Sequence, residues 1–194
     1  PKQLYRQRGD GRFEDVAAVM NLDFANQELI DMVWFDADGD GGPDLFTHED
    51  TGYFLYRRVG GAFVREKIHT GPFHRAGVAD LKGNTTDYWQ FDGKLSVADM
   101  DGDGRLDVFV SSKRGNVLLA NTGNGQFRAV DLASAGLPTE SVAAAWVDYD
   151  NDGRQDLHLV PQGLFRGQGD GRFARTGLLE LAPNESWKLL EAMM

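Results

Sequence analysis

The chain has 194 residues, a hydrophobic fraction of 41% and a formal net charge of −10 at pH 7. This length favours one domain, and the acidic balance argues against a nucleic-acid partner, because phosphate neutralisation requires clustered Lys and Arg. Cysteine is absent and no run approaches the roughly 18 apolar residues of a membrane span, which excludes a disulfide scaffold, a thiol enzyme and a membrane-spanning helix.

The chain opens on a short aromatic segment followed by a glycine turn and a phenylalanine, Leu4-Tyr-Arg6 and then Gly9-Asp-Gly-Arg-Phe13. Asp-Gly and Asn-Gly pairs are strong signals of tight hairpins, because these residues accept positive φ. The same pattern returns at three later places, where the turns end at Phe63, Phe127 and Phe173. We therefore predict a two-stranded antiparallel hairpin at each place.

An acidic stretch of the form Asp-x-Asp-x-Asp-Gly-x-x-Asp occurs three times in the chain. Hard cations such as Ca²⁺ take roughly 6–8 oxygen ligands, and alternate residues of a curled loop can point inward together. The glycine at position 6 permits the sharp turn. Aspartates this close repel one another at neutral pH unless a counter-ion is present. We therefore predict a metal-binding loop at each stretch.

The predicted ligands in each loop are the aspartates at positions 1, 3, 5 and 9, the last one bidentate, and the backbone carbonyl at position 7. They are Asp36, Asp38, Asp40, Gly42 and Asp44 in loop one; Asp99, Asp101, Asp103, Arg105 and Asp107 in loop two; and Asp148, Asp150, Asp152, Arg154 and Asp156 in loop three. The cofactor that this pattern predicts is Ca²⁺, about three ions per chain.

An EF-hand uses the same first six positions, but it also needs a bidentate Glu at position 12 and a helix on each side. Position 12 is Thr47, Val110 or Leu159 in the three loops, and none of these is a suitable ligand. The flanking residues read as strands, for example 29–35 before loop one and 145–147 before loop three. We therefore predict that the loops are hairpin turns between strands.

Each complete unit reads as strand, acidic turn, strand, connection, strand, glycine turn and strand, which is the four-stranded antiparallel blade of a β-propeller. The first strands carry small or β-branched residues such as Val97 and Ala98, as expected where blades crowd the central axis. The hairpin that contains Phe13 is the outer half of a unit without its acidic loop. We predict an all-β fold over residues 1–177, a partial propeller of about 3.5 blades.

The interval between loops one and two is longer than the next interval, and the additional residues fall in 70–93. This insertion contains Trp89 and Phe91, and long connections carry function more often than the strands they join. We therefore predict that any ligand site lies in Gly71–Gly93. The alternative is that the two aromatic side chains merely cap a blade.

The tail, residues 178–194, departs from the repeat and is predicted to be a loop and a short helix. Asn184 can cap the helix, and Trp187, Leu190 and Met194 recur at helical spacing. We expect this helix to dock on the propeller. A partner-binding helix and a linker to another domain are the alternatives.

The acidic loop and the hairpin pattern together resemble FG-GAP/VCBS repeats, the calcium-loop blades of integrin α-subunit propellers and of many bacterial secreted proteins. The resemblance covers most of residues 3–177. It implies a propeller fold with calcium ligands at the loop positions given above. The function that it implies is broad, because such propellers serve in adhesion, as lectins, beside lyases and as scaffolds.

We expect a calcium-stabilised extracytoplasmic module, extracellular or periplasmic, that binds proteins or acts as a scaffold in a larger assembly. Calcium sites of modest affinity suit a setting where free calcium is plentiful. No enzymatic activity or catalytic residue is expected, because a closed calcium cage leaves no open position for an activated water, unlike a catalytic zinc site. The alternative is a lectin-like or substrate-binding propeller of a carbohydrate-active enzyme, with a glycan as ligand.

The half-unit at the start of the chain leaves a sheet edge and an apolar blade face without a partner. We expect closure of the ring to come from flanking sequence, a second copy or another protein. Since the chain begins at Pro1 without methionine, we also expect a processed product or an excised piece.

Overall fold

The computed structural model describes residues 3–24, 27–71, 76–79, 85–88 and 93–179, and these residues form strands and turns without a helix. In chain order the strands are β1 (Tyr5–Gln7), β2 (Phe13–Asp15), β3 (Leu29–Phe35), β4 (Asp44–Glu49), β5 (Gly52–Val59), β6 (Ala62–His69), β7 (Ala76–Ala79), β8 (Thr85–Tyr88), β9 (Lys94–Ala98), β10 (Asp107–Ser111), β11 (Val117–Gly123), β12 (Gln126–Ala129), β13 (Ala143–Val147), β14 (Asp156–Val160), β15 (Gly163–Gly167) and β16 (Phe173–Arg175).

Twelve of these strands form three four-stranded sheets in which each strand pairs with its neighbour in the chain. We call them blade one (β3–β6), blade two (β9–β12) and blade three (β13–β16). All of their strand pairs are antiparallel. The predicted meander is therefore confirmed, and the all-β fold is a partial β-propeller.

Two further pairs of strands lie outside the complete blades. The half-unit, β1 and β2, is a hairpin in which Tyr5 pairs with Asp15, as the first glycine turn predicts. β7 and β8 form a hairpin within the insertion between blades one and two. Trp89, Phe91 and the predicted helix after Asn184 lie outside the described residues.

Each acidic loop joins the first and second strands of a blade, so all three are hairpin turns. The aspartate at position 9 begins the second strand and pairs with the last residue of the first, as in Asp44 with Phe35 and Asp107 with Ala98. An EF-hand is excluded because strands flank every loop.

Apolar cores lie between successive units. Leu55 and Val108 belong to the core between blades one and two, and Leu118 and Leu157 to the core between blades two and three. All four side chains are at most 1% exposed. The opposite face of blade one packs on Leu22, from the connection that follows the half-unit. Each blade is therefore stabilised by burial against its neighbours in the chain.

The connection after the half-unit and the connection between blades two and three make the same backbone hydrogen bond. The amide of Phe63 donates to the carbonyl of Met20 over 2.9 Å, and the amide of Phe173 donates to the carbonyl of Ala135 over 2.8 Å. Gly136, next to Ala135, has a φ of +75°, and a Cβ there would lie 2.3 Å from the carbonyl oxygen of Phe173. Glycine is therefore required at this close approach.

The first strands of blade one and of blade three each carry an apolar side chain that is more exposed to solvent than its equivalent in another blade. Trp34 is 40% exposed, whereas its equivalent Trp146 packs edge-on against Phe109 of blade two. On the opposite face, Val147 is 40% exposed, whereas its equivalent Ala98 is 7% exposed. Both outer faces thus remain open within the described part of the chain.

Within the described residues, no helix is long and apolar enough to cross a membrane.

Candidate metal sites

The aspartate at position 1 closes the turn of each acidic loop. The two carboxylate oxygens of Asp36 accept the amides of Gly39 and Gly41 over 2.8 and 2.9 Å. Asp99 accepts the amide of the position-6 glycine over 2.9 Å, and Asp148 does so over 3.0 Å. The glycine amide reaches this carboxylate because the backbone adopts a left-handed conformation at position 6, for example at Gly104 with φ +86°.

The aspartate at position 9 connects its loop to the third strand of the same blade. Asp107 Oδ2 accepts the amide of Met100 over 2.9 Å, and its Oδ1 accepts the amide of Asn121 over 2.8 Å. Asp44 and Asp156 make the equivalent pairs of bonds, and all three carboxylates are at most 1% exposed. Each carboxylate oxygen retains a second lone pair that could bind a metal ion. The bidentate role of the position-9 aspartates therefore stays a prediction.

In each loop, three carboxylates bring one ligand atom apiece to within 4.8 Å of one another. The groups are Asp36, Asp38 and Asp40 in loop one; Asp99, Asp101 and Asp107 in loop two; and Asp148, Asp150 and Asp156 in loop three. Asp44, Asp103 and Asp152 stand outside these groups. The carbonyl ligands predicted at Gly42, Arg105 and Arg154 stay predictions.

One carboxylate oxygen in loop two lacks a hydrogen-bond donor although it is buried. Within the described residues, Asp101 Oδ1 has no hydrogen-bond partner. Such an oxygen is costly to bury unless another electropositive group approaches it. The donor set consists of oxygen atoms alone, which suits hard cations such as Ca²⁺. The residues of loop two therefore fit a divalent cation.

The electrostatics of loop two agree with this fit. Burial raises the pKa of Asp107 to about 6, although hydrogen bonds from the amides of Asn121 and Met100 act in the opposite direction. Burial and the neighbouring Asp103 and Asp99 raise the pKa of Asp101. Without a metal ion, these carboxylates are thus harder to ionise than ordinary aspartates, and a bound cation would reverse this by favouring the charged forms.

Arginines on the third strands reach two of the loops, a contact that the loop motif alone does not indicate. Arg166 on β15 donates through Nε to Asp150 Oδ2 and through Nη2 to Asp152 Oδ2, both over 2.8 Å. Arg57 on β5 lies 3.9 Å from Asp38. The equivalent residue of blade two is Ala120. The sequence does contain a sign of these contacts, because an arginine follows Leu-Tyr in blade one and Leu-Phe in blade three as part of the hairpin pattern.

The arginines at position 7 turn toward the loops as well. Arg105 pairs with Asp103, and Arg154 pairs with Asp152. The position-5 aspartates of loops two and three therefore already have cationic partners, whereas position 7 of loop one is Gly42, which has no side chain to pair with Asp40. Of the three converging groups described above, the one in loop one is the group that includes a position-5 carboxylate.

A buried polar cluster at the other end of blade one also escaped the sequence analysis. Glu49 is fully buried, and its Oε1 accepts the hydroxyls of Thr47 over 2.9 Å and Tyr56 over 2.8 Å. Arg65 donates to Oε2 over 2.6 Å. Burial, together with the hydrogen bond to Glu49, raises the pKa of Tyr56. Tyr56 and Arg65 line an open cleft of about 350 Å³ beside Phe24.

Residues 99–159 match the family model described as an FG-GAP-like repeat. The family resemblance is confirmed. The matched stretch includes loops two and three and ends in β14, and loop one lies outside it. No curated protein matches the chain.

A solved lectin structure from Agrocybe aegerita, described as the basis of specific recognition of non-reducing terminal N-acetylglucosamine, is similar in fold. The TM-score is 0.60 at 18% sequence identity, and the match covers 95% of this chain and 48% of the lectin chain. The chain therefore spans about half the length of this structural neighbour. At this identity, the likeness supports the β-propeller fold.

Proposed function

We propose that the protein is a calcium-stabilised β-propeller module that binds proteins or serves as a scaffold in an extracytoplasmic assembly. The observation that carries the metal part is the buried Asp101 Oδ1, which lies beside two converging carboxylates and has no hydrogen-bond donor among the residues that the structure describes. The FG-GAP-like repeat supports the same reading.

The loop residues would act by holding a turn rather than by performing chemistry. Asp99 and Asp107 fix the backbone of loop two through amide hydrogen bonds, and Asp101 supplies the oxygen that needs a cation. A bound Ca²⁺ would supply positive charge that offsets the repulsion between the carboxylates. Since the unfolded loop binds Ca²⁺ poorly, binding would stabilise the folded state by mass action.

Calcium titration calorimetry on stripped protein tests this proposal. We expect about three equivalents of Ca²⁺ to bind, and EDTA to lower the Tm of the loaded protein. Asp10→Ala is a matched control, because Asp10 is an exposed turn aspartate of the half-unit whose carboxylate accepts the amide of Arg12. A Tm that is indifferent to EDTA, with no heat of binding, would refute the metal part of the proposal.

The proposed scaffold role rests on the two exposed blade faces. We propose no catalytic activity. Trp34 and Val147, both 40% exposed, lie on first strands at opposite ends of the described blades. Such apolar surface is typical of sites that bind another polypeptide. Isolation of a defined protein complex from the native extracytoplasmic fraction, dependent on Trp34 or Val147, tests this role.

A glycan-binding role is a second candidate, which the similarity to the Agrocybe aegerita lectin favours. A glycan array that includes terminal N-acetylglucosamine separates the two candidates. Saturable binding to a defined sugar supports the lectin-like role, and co-purification with a protein complex without sugar binding supports the scaffold role.

A further inference from the structure

The open cleft beside Phe24 is a local specialisation of the chain and not a property of the repeat. Two connections make the same turn, since the amide of Leu22 donates to the carbonyl of Ala17 over 2.7 Å and the amide of Leu137 to the carbonyl of Leu132 over 2.9 Å. This correspondence pairs three residues that line the cleft with residues of a different type: Asn21 with Gly136, Asp23 with Pro138, and Phe24 with Thr139. The turn itself therefore does not require the polar and aromatic side chains of the cleft.

The backbone at Phe24 adopts a conformation that a bulky residue rarely takes. Its φ is +47°, in the left-handed region, whereas the φ of its equivalent Thr139 is not positive. Residues held in this way cluster at ligand-binding sites, where the surrounding structure maintains the strain. The conformation of Phe24 therefore marks the cleft as a candidate binding site.

Three aromatic side chains form the apolar walls of the cleft. The rings of Phe24 and Tyr56 have their centroids 5.2 Å apart and are inclined at 57°, and Phe63 lines the same cleft. Tyr56 and Phe63 are 3% and 4% exposed, so the core of blade one fixes their positions. The inclined rings form a corner and not a parallel slot. A corner suits the C–H face of a puckered ring better than it suits a flat aromatic ring.

Two hydrogen-bond acceptors stand beside these walls. Asp23 is exposed, and within the described part of the chain its carboxylate has no hydrogen-bond or ion-pair partner. The side-chain amide of Asn21 donates to the carbonyl of Phe63 over 3.4 Å, which leaves its Oδ1 as an acceptor. Both residues line the cleft. A ligand that presents hydroxyl groups is therefore suited to this side.

Arg65 supplies hydrogen-bond donors to the cleft and is held in a fixed position. Its Nη2 donates to the fully buried Glu49 over 2.6 Å, and its guanidinium carbon lies 3.4 Å from the centre of the Phe54 ring. A guanidinium group carries five N–H donors, so others remain for a ligand. Because Glu49 neutralises Arg65 and Asp23 adds negative charge, the cleft disfavours an anion.

We propose that this cleft binds one pyranose ring of a neutral glycan. The C–H face of the sugar packs in the corner between Phe24 and Tyr56. Its hydroxyls donate to Asp23 and Asn21, and one of them accepts a hydrogen bond from Arg65. Hydroxyl groups both donate and accept, so one sugar ring satisfies this mixed set. The volume of about 350 Å³ is at the lower end of the range of ligand pockets, which suits one or two rings. The proposal rests on the glycan-binding candidate above and gives it a site.

An array of mono- and disaccharides, probed with the unmodified chain and two variants, tests the site. Asp23→Asn removes the charge and keeps the side-chain size, and Phe24→Gly removes the ring while glycine accepts the left-handed backbone. We expect each variant to bind the sugar that the unmodified chain selects at least about tenfold more weakly. Asp10→Asn is the matched control, because Asp10 is an exposed turn aspartate of the half-unit, and its affinity should be unchanged.

Titration of the selected sugar into the isotopically labelled unmodified chain gives a second readout, which does not depend on how the variants fold. The NMR signals of the backbone amides of Asp23, Phe24 and Arg65 should shift. Shifts confined to blades two and three, or equal affinity of both variants and the unmodified chain, would overturn the site and leave the glycan-binding candidate intact. If the unmodified chain binds no sugar on the array, the glycan-binding candidate fails together with its site.

Discussion

The side-chain amide of Asn121 in blade two donates a hydrogen bond to the backbone carbonyl of Ala37 in loop one over 3.0 Å. The same amide donates to the carbonyl of Leu106 in loop two over 3.3 Å, and the backbone amide of Asn121 donates to Asp107. Asn121 is 3% exposed, so these bonds are shielded from water. One buried residue thus links two acidic loops that belong to different blades. The equivalent of Asn121 in blade three is Gly167, which has no side chain to form such a link.

The first prediction is that Asn121→Ala weakens both the fold and the coupling between loops one and two. The variant loses three side-chain bonds, since Asn121 Oδ1 also accepts the amide of Gly123 over 2.9 Å, and we expect this to cost about 1–3 kcal/mol of unfolding free energy. In the unmodified chain, disabling loop two by Asp99→Asn should lower the Ca²⁺ affinity of loop one by about fivefold. In the Asn121→Ala background, this effect should be largely absent.

Calorimetric titration of the four chains in this cycle measures the coupling. Thr122→Ala is the matched control, because the Thr122 hydroxyl donates to the nearby carbonyl of Gln126, a bond within the same hairpin. An equal effect of Asp99→Asn on loop one in both backgrounds would show that Asn121 does not transmit it.

The second prediction ranks the loop aspartates by their effect on stability. Asp107→Ala and Asp156→Ala each remove a buried carboxylate that accepts two backbone amides. Each is expected to cost at least about 2 kcal/mol, or about 4–8 °C in Tm, even in EDTA. Asp38→Ala removes one hydrogen bond, from the amide of Asp40 over 3.2 Å, and a surface ion pair with Arg57, and it should cost less. Thermal melts of the three variants in EDTA check the order, and equal losses would contradict it.

The third prediction concerns the arginine that already pairs with the ligands of loop three. Arg166 must release Asp150 and Asp152 before both can face a metal ion, so Arg166→Ala is expected to raise the Ca²⁺ affinity of loop three by a few-fold. The gain should shrink with added salt because the pair is exposed. Arg6→Ala is the matched control, since Arg6 pairs with Glu14 in the hairpin of the half-unit. A lower affinity of Arg166→Ala would show instead that the arginine supports the site.

The local parts of this structure were predictable from the sequence, and the long-range contacts were not. The strand predicted at 29–35 is β3 with the same bounds, because a hydrophobic run that ends at an acidic turn is a local signal. The bond from Asn121 to Ala37 spans 84 positions, and no periodicity marks it. Glu49 was also missed, since a charged residue at a strand end is usually exposed. Its burial depends on Tyr56 and Arg65, which pair with it only once the sheet has formed.

The fourth prediction tests that buried cluster. Glu49→Gln removes the charge that Arg65 neutralises and places an amide next to the hydroxyl donors of the cluster. We expect the unfolding free energy to fall by about 2–3 kcal/mol, a value reduced for solvent screening because Arg65 is one-third exposed. Tyr56→Phe should cost about 1 kcal/mol. Glu66→Gln, at an exposed pair with Arg57, is the control and should change the unfolding free energy by less than about 0.5 kcal/mol. Urea denaturation measures all three, and an effect of Glu49→Gln no larger than that of the control would refute the role of the cluster.

The last prediction concerns the open face of blade one. Met32 and Trp34 on β3 are 52% and 40% exposed, and the apolar cluster formed with the half-unit and its connection includes side chains of β4, β5 and β6 but neither of these two. Exposed apolar side chains on a first strand favour association with another sheet, so we expect the isolated chain to self-associate. Light scattering should show that Met32→Gln with Trp34→Gln reduces the mean mass. Val59→Gln is the matched control, since Val59 is also 52% exposed but lies beside a glycine turn. A stable monomer with a cooperative melt in the unmodified chain would show that this face needs no partner.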